Sequence, residues 1–237
     1  MQFMIKTKEN ISQLPKKKTR YKITTSLLNS WQNIWDCEEG VHEKEDDEIS
    51  YEDKLEIKRQ EKKQEFINYL NRLPIPDNEA MKKGREFEDI VCAGLDPEFS
   101  KYVKGGAFQV KVARNVDIDG IPLTFYGILD VLKAGRIMDI KRTGHYQFPK
   151  YKSSHQHAMY MYLVPEAIDF TYLVADDNIE SKDEEKRKKG YHLENYIREN
   201  SEDIVKTVSQ FLTWLKANDL FEIFKRNWVM YEVWGGN

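Results

Sequence analysis

The residues with chemistry to offer concentrate in Gly127 to Lys141, which reads GILDVLKAGRIMDIK. The apolar and β-branched runs Gly127–Leu132 and Ile137–Ile140 flank Ala134-Gly135, the pattern of a β-hairpin. If the loop centres on Ala134-Gly135, Lys133 faces Arg136 and Asp130 faces Asp139. Directly opposed residues place their Cβ atoms about 5 Å apart on one side of a sheet. Lys141 follows Asp139 by two positions and so points to that same side. Two facing carboxylates repel, and a divalent cation between them would remove the repulsion. Ala-Gly is a weaker turn signal than Asn-Gly, and a bulge would shift the pairing, so everything here depends on the register. Asp and Lys are also common on solvated strand faces, so the neighbouring elements must decide what the pair is for.

Those elements can be read in order. Residues 1–23 are polar and basic, with a run from Lys16 to Lys22. Leu27, Leu28, Trp31, Ile34 and Trp35 then recur at helical spacing, with Thr24 or Thr25 as N-cap. A helix start beside Arg20, Lys22 and Ser26 is a natural phosphate cradle; a plain capped helix is the competing reading. Residues 38–65 are dense in mixed charge; 38–50 read as disordered and Tyr51–Leu73 as a long solvated helix, with His42 a surface residue. Leu73-Pro74-Ile75-Pro76 ends that helix. A new one starts at Asp77 or Asn78 and carries Gly84 and Glu88 on one side. Glycine inside a helix predicts close approach of another backbone or a ligand. Glu88 falls on the side of Phe87 and Val91 and needs a partner there, whereas Glu86 and Asp89 face solvent.

Strands at Phe108–Val112, Ile121–Leu132 and Ile137–Lys141 form an antiparallel meander. Pro149 to Val164 reads as helix, with Gln156 and Tyr160 one turn apart. His155 and His157, two apart, point to different sides and do not suit one metal. Strands at Ala167–Ala175 and Tyr191–Ile197 flank a charged loop ending in Lys186–Lys189, and a helix spans Glu202–Leu215. Phe221, Phe224, Trp228, Tyr231 and Trp234 form an aromatic tail that packs back on the fold.

The whole chain sets outer bounds. Its 237 residues suit one domain with additions, or two, and it divides into a helical region at 1–76 and a core at 77–237. Net charge of −3 argues against a generally basic nucleic-acid binder but allows a local basic groove beside an acidic site. Cys37 and Cys92 are too few for a disulfide framework, a four-thiolate zinc site or an iron–sulfur cluster. No signal peptide and no membrane-spanning run is visible, which points to a cytoplasmic protein with no membrane partner.

Taken together, Gly84-x-x-x-Glu88, then Gly127-x-x-Asp130, then Asp139-Ile140-Lys141, then Gln156-x-x-x-Tyr160 resembles the PD-(D/E)XK nuclease superfamily, in particular its RecB-like and phage-exonuclease branches. The resemblance covers roughly residues 80–175, and the segment around Ser26 looks like the Ser-containing helix that often opens such proteins. It implies an α/β fold with a restriction-endonuclease-like core: a central mixed sheet with an antiparallel meander, flanked by helices, plus extra N-terminal helices. It implies a metal-dependent DNA nuclease hydrolysing phosphodiester bonds, an exonuclease of recombination, repair or phage DNA processing in a bacterial or phage-infected cell. Mg²⁺, with Mn²⁺ as substitute, would be held by Glu88, Asp130, Asp139 and the Ile140 carbonyl. Lys141 would position water and stabilise the transition state, Gln156 and Tyr160 would orient Lys141, the water or the DNA backbone, and Arg20, Ser26, Arg142 and Thr143 would bind phosphate. Partners would be DNA and a single-strand annealing protein or helicase, and oligomers are compatible with it. Glu88, where many RecB-like members have His, is a mark of the phage-exonuclease branch. An inactive nuclease-fold module that binds DNA or a partner, and a restriction- or resolvase-type endonuclease, stand as alternatives.

Overall fold

The computed structural model describes residues 19–37, 49–177, 190–200 and 202–230. Lys16–Lys18, the acidic run with His42, Lys186–Lys189, Tyr231 and Trp234 lie outside the described residues. The elements are β1 (Arg20–Ile23), α1 (Thr25–Gln32), α2 (Tyr51–Leu70), α3 (Glu79–Cys92), α4 (Ser100–Val103), β2 (Ala107–Ile118), β3 (Ile121–Lys133), β4 (Arg136–Thr143), α5 (Gln156–Leu163), β5 (Asp169–Asp176), β6 (Gly190–Ile197), α6 (Ile204–Ala217), α7 (Phe221–Asn227) and β7 (Val229–Met230). They make the expected α/β architecture, a seven-stranded mixed sheet flanked by helices. Helix starts follow from local chemistry. Thr24 Oγ1 accepts the Leu27 N–H at 3.2 Å, and Asn78 Oδ1 accepts that of Met81 at 2.8 Å. No helix among the described residues is long and apolar enough to cross a membrane.

Each face of the sheet buries its own apolar layer. On one side Leu27, Leu28 and Trp31 of α1, Phe66 and Leu70 of α2, Phe211 and Leu215 of α6 and Phe224 of α7 pack with Phe125, Leu129 and Phe170 of the sheet. On the other, Phe87 and Val91 of α3 join Phe99 and Val103 over Val131, Met138, Ile140 and Leu173. Aromatic edges knit the first layer, with Trp31 5.4 Å from Phe211 and Phe66 5.4 Å from Trp214 between ring centroids.

The connectivity around β3 creates a gap. β2 runs antiparallel along almost the whole of β3, from Ala107↔Leu132 to Ile118↔Ile121. A strand has two edges, so β1 and β4 must share the other. β1 pairs in parallel with Leu123–Phe125, and β4 pairs antiparallel with Val131–Lys133. Between them, residues 126–130 have no paired strand on that edge. The turn that closes β3 to β4 is the two-residue one expected, with Ala134 and Gly135 both at positive φ (47° and 77°). The register is symmetric about it, Lys133↔Arg136 through Val131↔Met138.

Three expectations need correction. Arg20–Ile23 is a strand, not a free basic run; four residues carry too short a pattern to show it. Residues 149–155 are loop rather than helix, because the backbone N–H groups of Lys150 and Tyr151 go to Glu194 of β6, at 3.2 and 2.9 Å. Gly84 receives no close approach: a Cβ added there would meet nothing within 4 Å.

Candidate active site

The gap in the sheet holds Asp130. At Asp130 the pairing lapses toward both neighbours, since neither Gln109 nor Asp139 forms a ladder pair with it. The strand also changes phase there. Leu129 belongs to the larger apolar layer, while Val131, two positions on, belongs to the smaller. Opposite, Gln109 adopts φ 52°, a conformation that costs a non-glycine residue about 1 kcal/mol or more and clusters at functional sites. The result re-aims Asp130: its Oδ2 accepts the Ile140 N–H at 2.8 Å, taking the place of a backbone carbonyl.

Asp139 is buried on β4, and Lys141 Nζ lies 2.6 Å from its Oδ2. Gln156 Nε2, at the start of α5, donates to Asp139 Oδ1. The Tyr160 hydroxyl lies beside Gln156 and Thr25 of α1. Its ring lies against Gly127, where an added Cβ would be 2.5 Å from Cε1. Thus Gly127-x-x-Asp130 and Gln156-x-x-x-Tyr160 are two halves of one packing unit. Glu88, on α3, is half-buried and accepts a hydrogen bond from Gln109.

The electrostatics show why these groups need each other. Burial, then the Asp139 charge, pushes the Asp130 carboxyl up to about 8, against the opposing pull of Lys141. Burial and Asp139 likewise raise Glu88. Burial alone would lower Lys141, but Asp139 and Asp130 outweigh it and hold its ammonium above the ordinary lysine value. Tyr151, stacked on Tyr172 at 4.5 Å, is pushed up to about 12 by burial, with Lys141 opposing.

The donor set fits a hard cation. Asp130, Asp139 and the Ile140 carbonyl would offer it oxygen donors, Asp139 Oδ2 is buried with no hydrogen bond beyond its ion pair to Lys141, and the mutual repulsion of the acids is what a cation would relieve. Among the described residues no three His, Cys, Asp or Glu side chains stand together in a metal-holding arrangement. Glu88 is engaged by Gln109 at one carboxylate oxygen.

The remaining sequence candidates are placed as follows. Arg142 donates to Asp177 at 2.9 Å and reaches the Lys83 carbonyl at 3.5 Å, so it ties β4 to α3. Thr143 Oγ1 donates to the His145 carbonyl and accepts from Lys150 Nζ at 2.8 Å. Ser26 is exposed in the first turn of α1, next to Thr25. Arg20 is not brought to the acids: its guanidinium bonds the Leu123 carbonyl at 3.0 Å, seven positions down β3 from Asp130. Sequence reasoning missed Gln109, Thr25 and Tyr151. A positive φ and a contact between distant elements leave no mark in residue type or spacing.

No family model matches the chain, and no curated protein does. Solved structures similar to it include SSO0001 (11% identity, TM-score 0.48, covering 85% of this chain and 80% of that one). LHK-Exo in complex with dAMP is 17% identical, with TM-score 0.45 and coverage of 86% and 92%. A protein assigned as an exonuclease from Eubacterium rectale is 14% identical, with TM-score 0.38 and coverage of 95% and 88%.

Proposed function

We propose that the chain is a metal-dependent nuclease that hydrolyses phosphodiester bonds in DNA, acting as an exonuclease in recombination, repair or phage DNA processing. The observation that carries this is the grouping of Asp130, in the unpaired stretch of β3, with Asp139 and Lys141 of the neighbouring β4, and Gln156 locked onto Asp139. Asp130, Asp139 and the Ile140 carbonyl would hold Mg²⁺ or Mn²⁺, with Glu88 joining them. When bound, the cation supplies an activated water and neutralises charge on the scissile phosphate.

The protein's own groups do the rest. Lys141 stays protonated, so it offers a fixed positive charge where negative charge grows on the phosphate. Asp139 holds that ammonium in place. Gln156 fixes Asp139, and the Tyr160 ring, one turn on, fills the space over Gly127.

A second reading, a nuclease-fold module that binds DNA without cutting it, is favoured by one observation. Glu88 and Asp130 each already accept a hydrogen bond from a protein N–H. Incubation with linear and with closed circular DNA, in Mg²⁺, in Mn²⁺ and in chelator, separates the readings. Metal-dependent loss of linear DNA alone supports the exonuclease. Cutting of closed circles replaces it with an endonuclease. Binding without cleavage under every condition leaves only the module.

A further inference from the structure

Two cavities share a rim, and Lys141 lines the smaller of them. The smaller, about 340 Å³, is walled by Asn29, Gln32 and Asn33 on one side and by Lys150, Tyr151 and Ser154 on the other, with Lys141 and Gln156 at its base. The larger, about 750 Å³, contains none of the acids of the site and is lined by Phe148, Lys152, His155, Tyr196 and Glu202, among others. Gln32, Ser153 and Ser154 line both, so the two compartments form one cleft with a shared rim. Cavities of this size enclose small organic ligands.

The lining has a definite chemistry. Positions 29, 32 and 33 share one face of α1 and its C-terminal turn, and they present side-chain amides. Asn29 anchors the rim: its Oδ1 accepts the His155 N–H at 2.9 Å and its Nδ2 donates to Ser154 Oγ at 3.4 Å. The opposite wall carries Lys152 and also Lys150, whose ammonium is held by Thr143 Oγ1 and the His145 carbonyl, and Phe148 is 68% exposed. The two acids of the cleft are already engaged. Asp36 accepts from Gln32 at 3.1 Å, and Glu202 pairs with His155 and with Thr207. Amides and hydroxyls match the edges of unpaired bases, lysines match phosphates, and an exposed aromatic ring offers a stacking surface. Together these are the requirements for gripping a single strand. A duplex keeps its bases stacked and paired, out of reach of such walls.

We propose that this cleft holds the single-stranded end of the nucleic acid cut at Lys141. The nucleotide beside the cut occupies the smaller compartment, the following ones occupy the larger, and one base stacks on Phe148. The proposal rests on the nuclease reading for what happens at Lys141, but not for the binding itself.

The test is fluorescence anisotropy with a labelled oligothymidine strand and a blunt duplex of the same length, in Ca²⁺ to suppress cleavage. The strand binds more tightly than the duplex. Phe148→Ala weakens strand binding about tenfold, as expected for one lost base–aromatic stack. Lys152→Ala lowers the salt dependence of strand binding. Leu95→Ala, an equally exposed apolar residue outside the cleft, leaves strand affinity where it was. Equal affinity for strand and duplex, or no effect of Phe148→Ala, overturns the proposal. The same oligonucleotides in Mg²⁺ keep the two claims apart. Cleavage with Phe148-independent binding removes the cleft and keeps the nuclease; Phe148-dependent binding without cleavage does the reverse.

Discussion

At Gly127 a single hydrogen decides whether the site can form. A methyl group there would overlap the Tyr160 ring, whose hydroxyl lies beside Gln156 and Thr25. Gly127→Ala should therefore cost about 1–3 kcal/mol in denaturant unfolding. In a double-mutant cycle with Tyr160→Ala most of that cost should disappear. The sequence showed both motifs, yet only as separate spacings; that one packs into the other depends on β3 lying under α5. Asp130 gives the second prediction at this scale. If it helps hold a cation, saturating Mg²⁺ should raise the unfolding temperature of the wild type by about a few degrees. Asp130→Asn should keep the hydrogen bond from Ile140 yet lose that response, as differential scanning fluorimetry would show.

Among the elements, the loop between β4 and α5 does most to shape the site, and it was the part least legible in the sequence. Tyr151, His155, Ala158 and Met159 recur at helical spacing, so a helix from Pro149 was the natural expectation. What overrides it is Glu194, fully buried on β6. It accepts from Tyr146 and Tyr196 hydroxyls at 2.9 and 2.5 Å and from the N–H groups of Lys150 and Tyr151. A partner more than forty residues away leaves no local trace. Glu194→Ala would strand those donors, and a loss of roughly 3 kcal/mol or more is expected in urea denaturation.

The next strand contact sets a pH dependence. His157 of α5 stacks on Tyr196 of β6 at 3.9 Å. Burial lowers its imidazole to about 4, with Glu202 opposing. A folded-state value below the ordinary 6.5 means the neutral ring is favoured in the fold. Its contribution is present above about pH 6.5 and is lost as pH falls toward 4. His157→Phe should flatten that acid limb when denaturation midpoints are measured across the range.

For the whole molecule, the sequence carried the meander, its symmetric turn and the caps of α1 and α3, because each is written in local period and turn chemistry. It did not carry β1, whose four residues have meaning only as a parallel partner of β3. Nor could it show that β1 and β4 share one edge and leave residues 126–130 open between them. That gap lets Asp130 turn toward β4 and meet Asp139 and Lys141, so topology, more than any one motif, makes the site. The most direct test is Mg²⁺-dependent hydrolysis of linear DNA by wild type, Lys141→Ala and Asp139→Asn, each checked for retained fold by circular dichroism. Wild type should degrade the DNA, and each variant should be slower by about a hundredfold or more. Degradation by folded Lys141→Ala at the wild-type rate would contradict the assignment of this site.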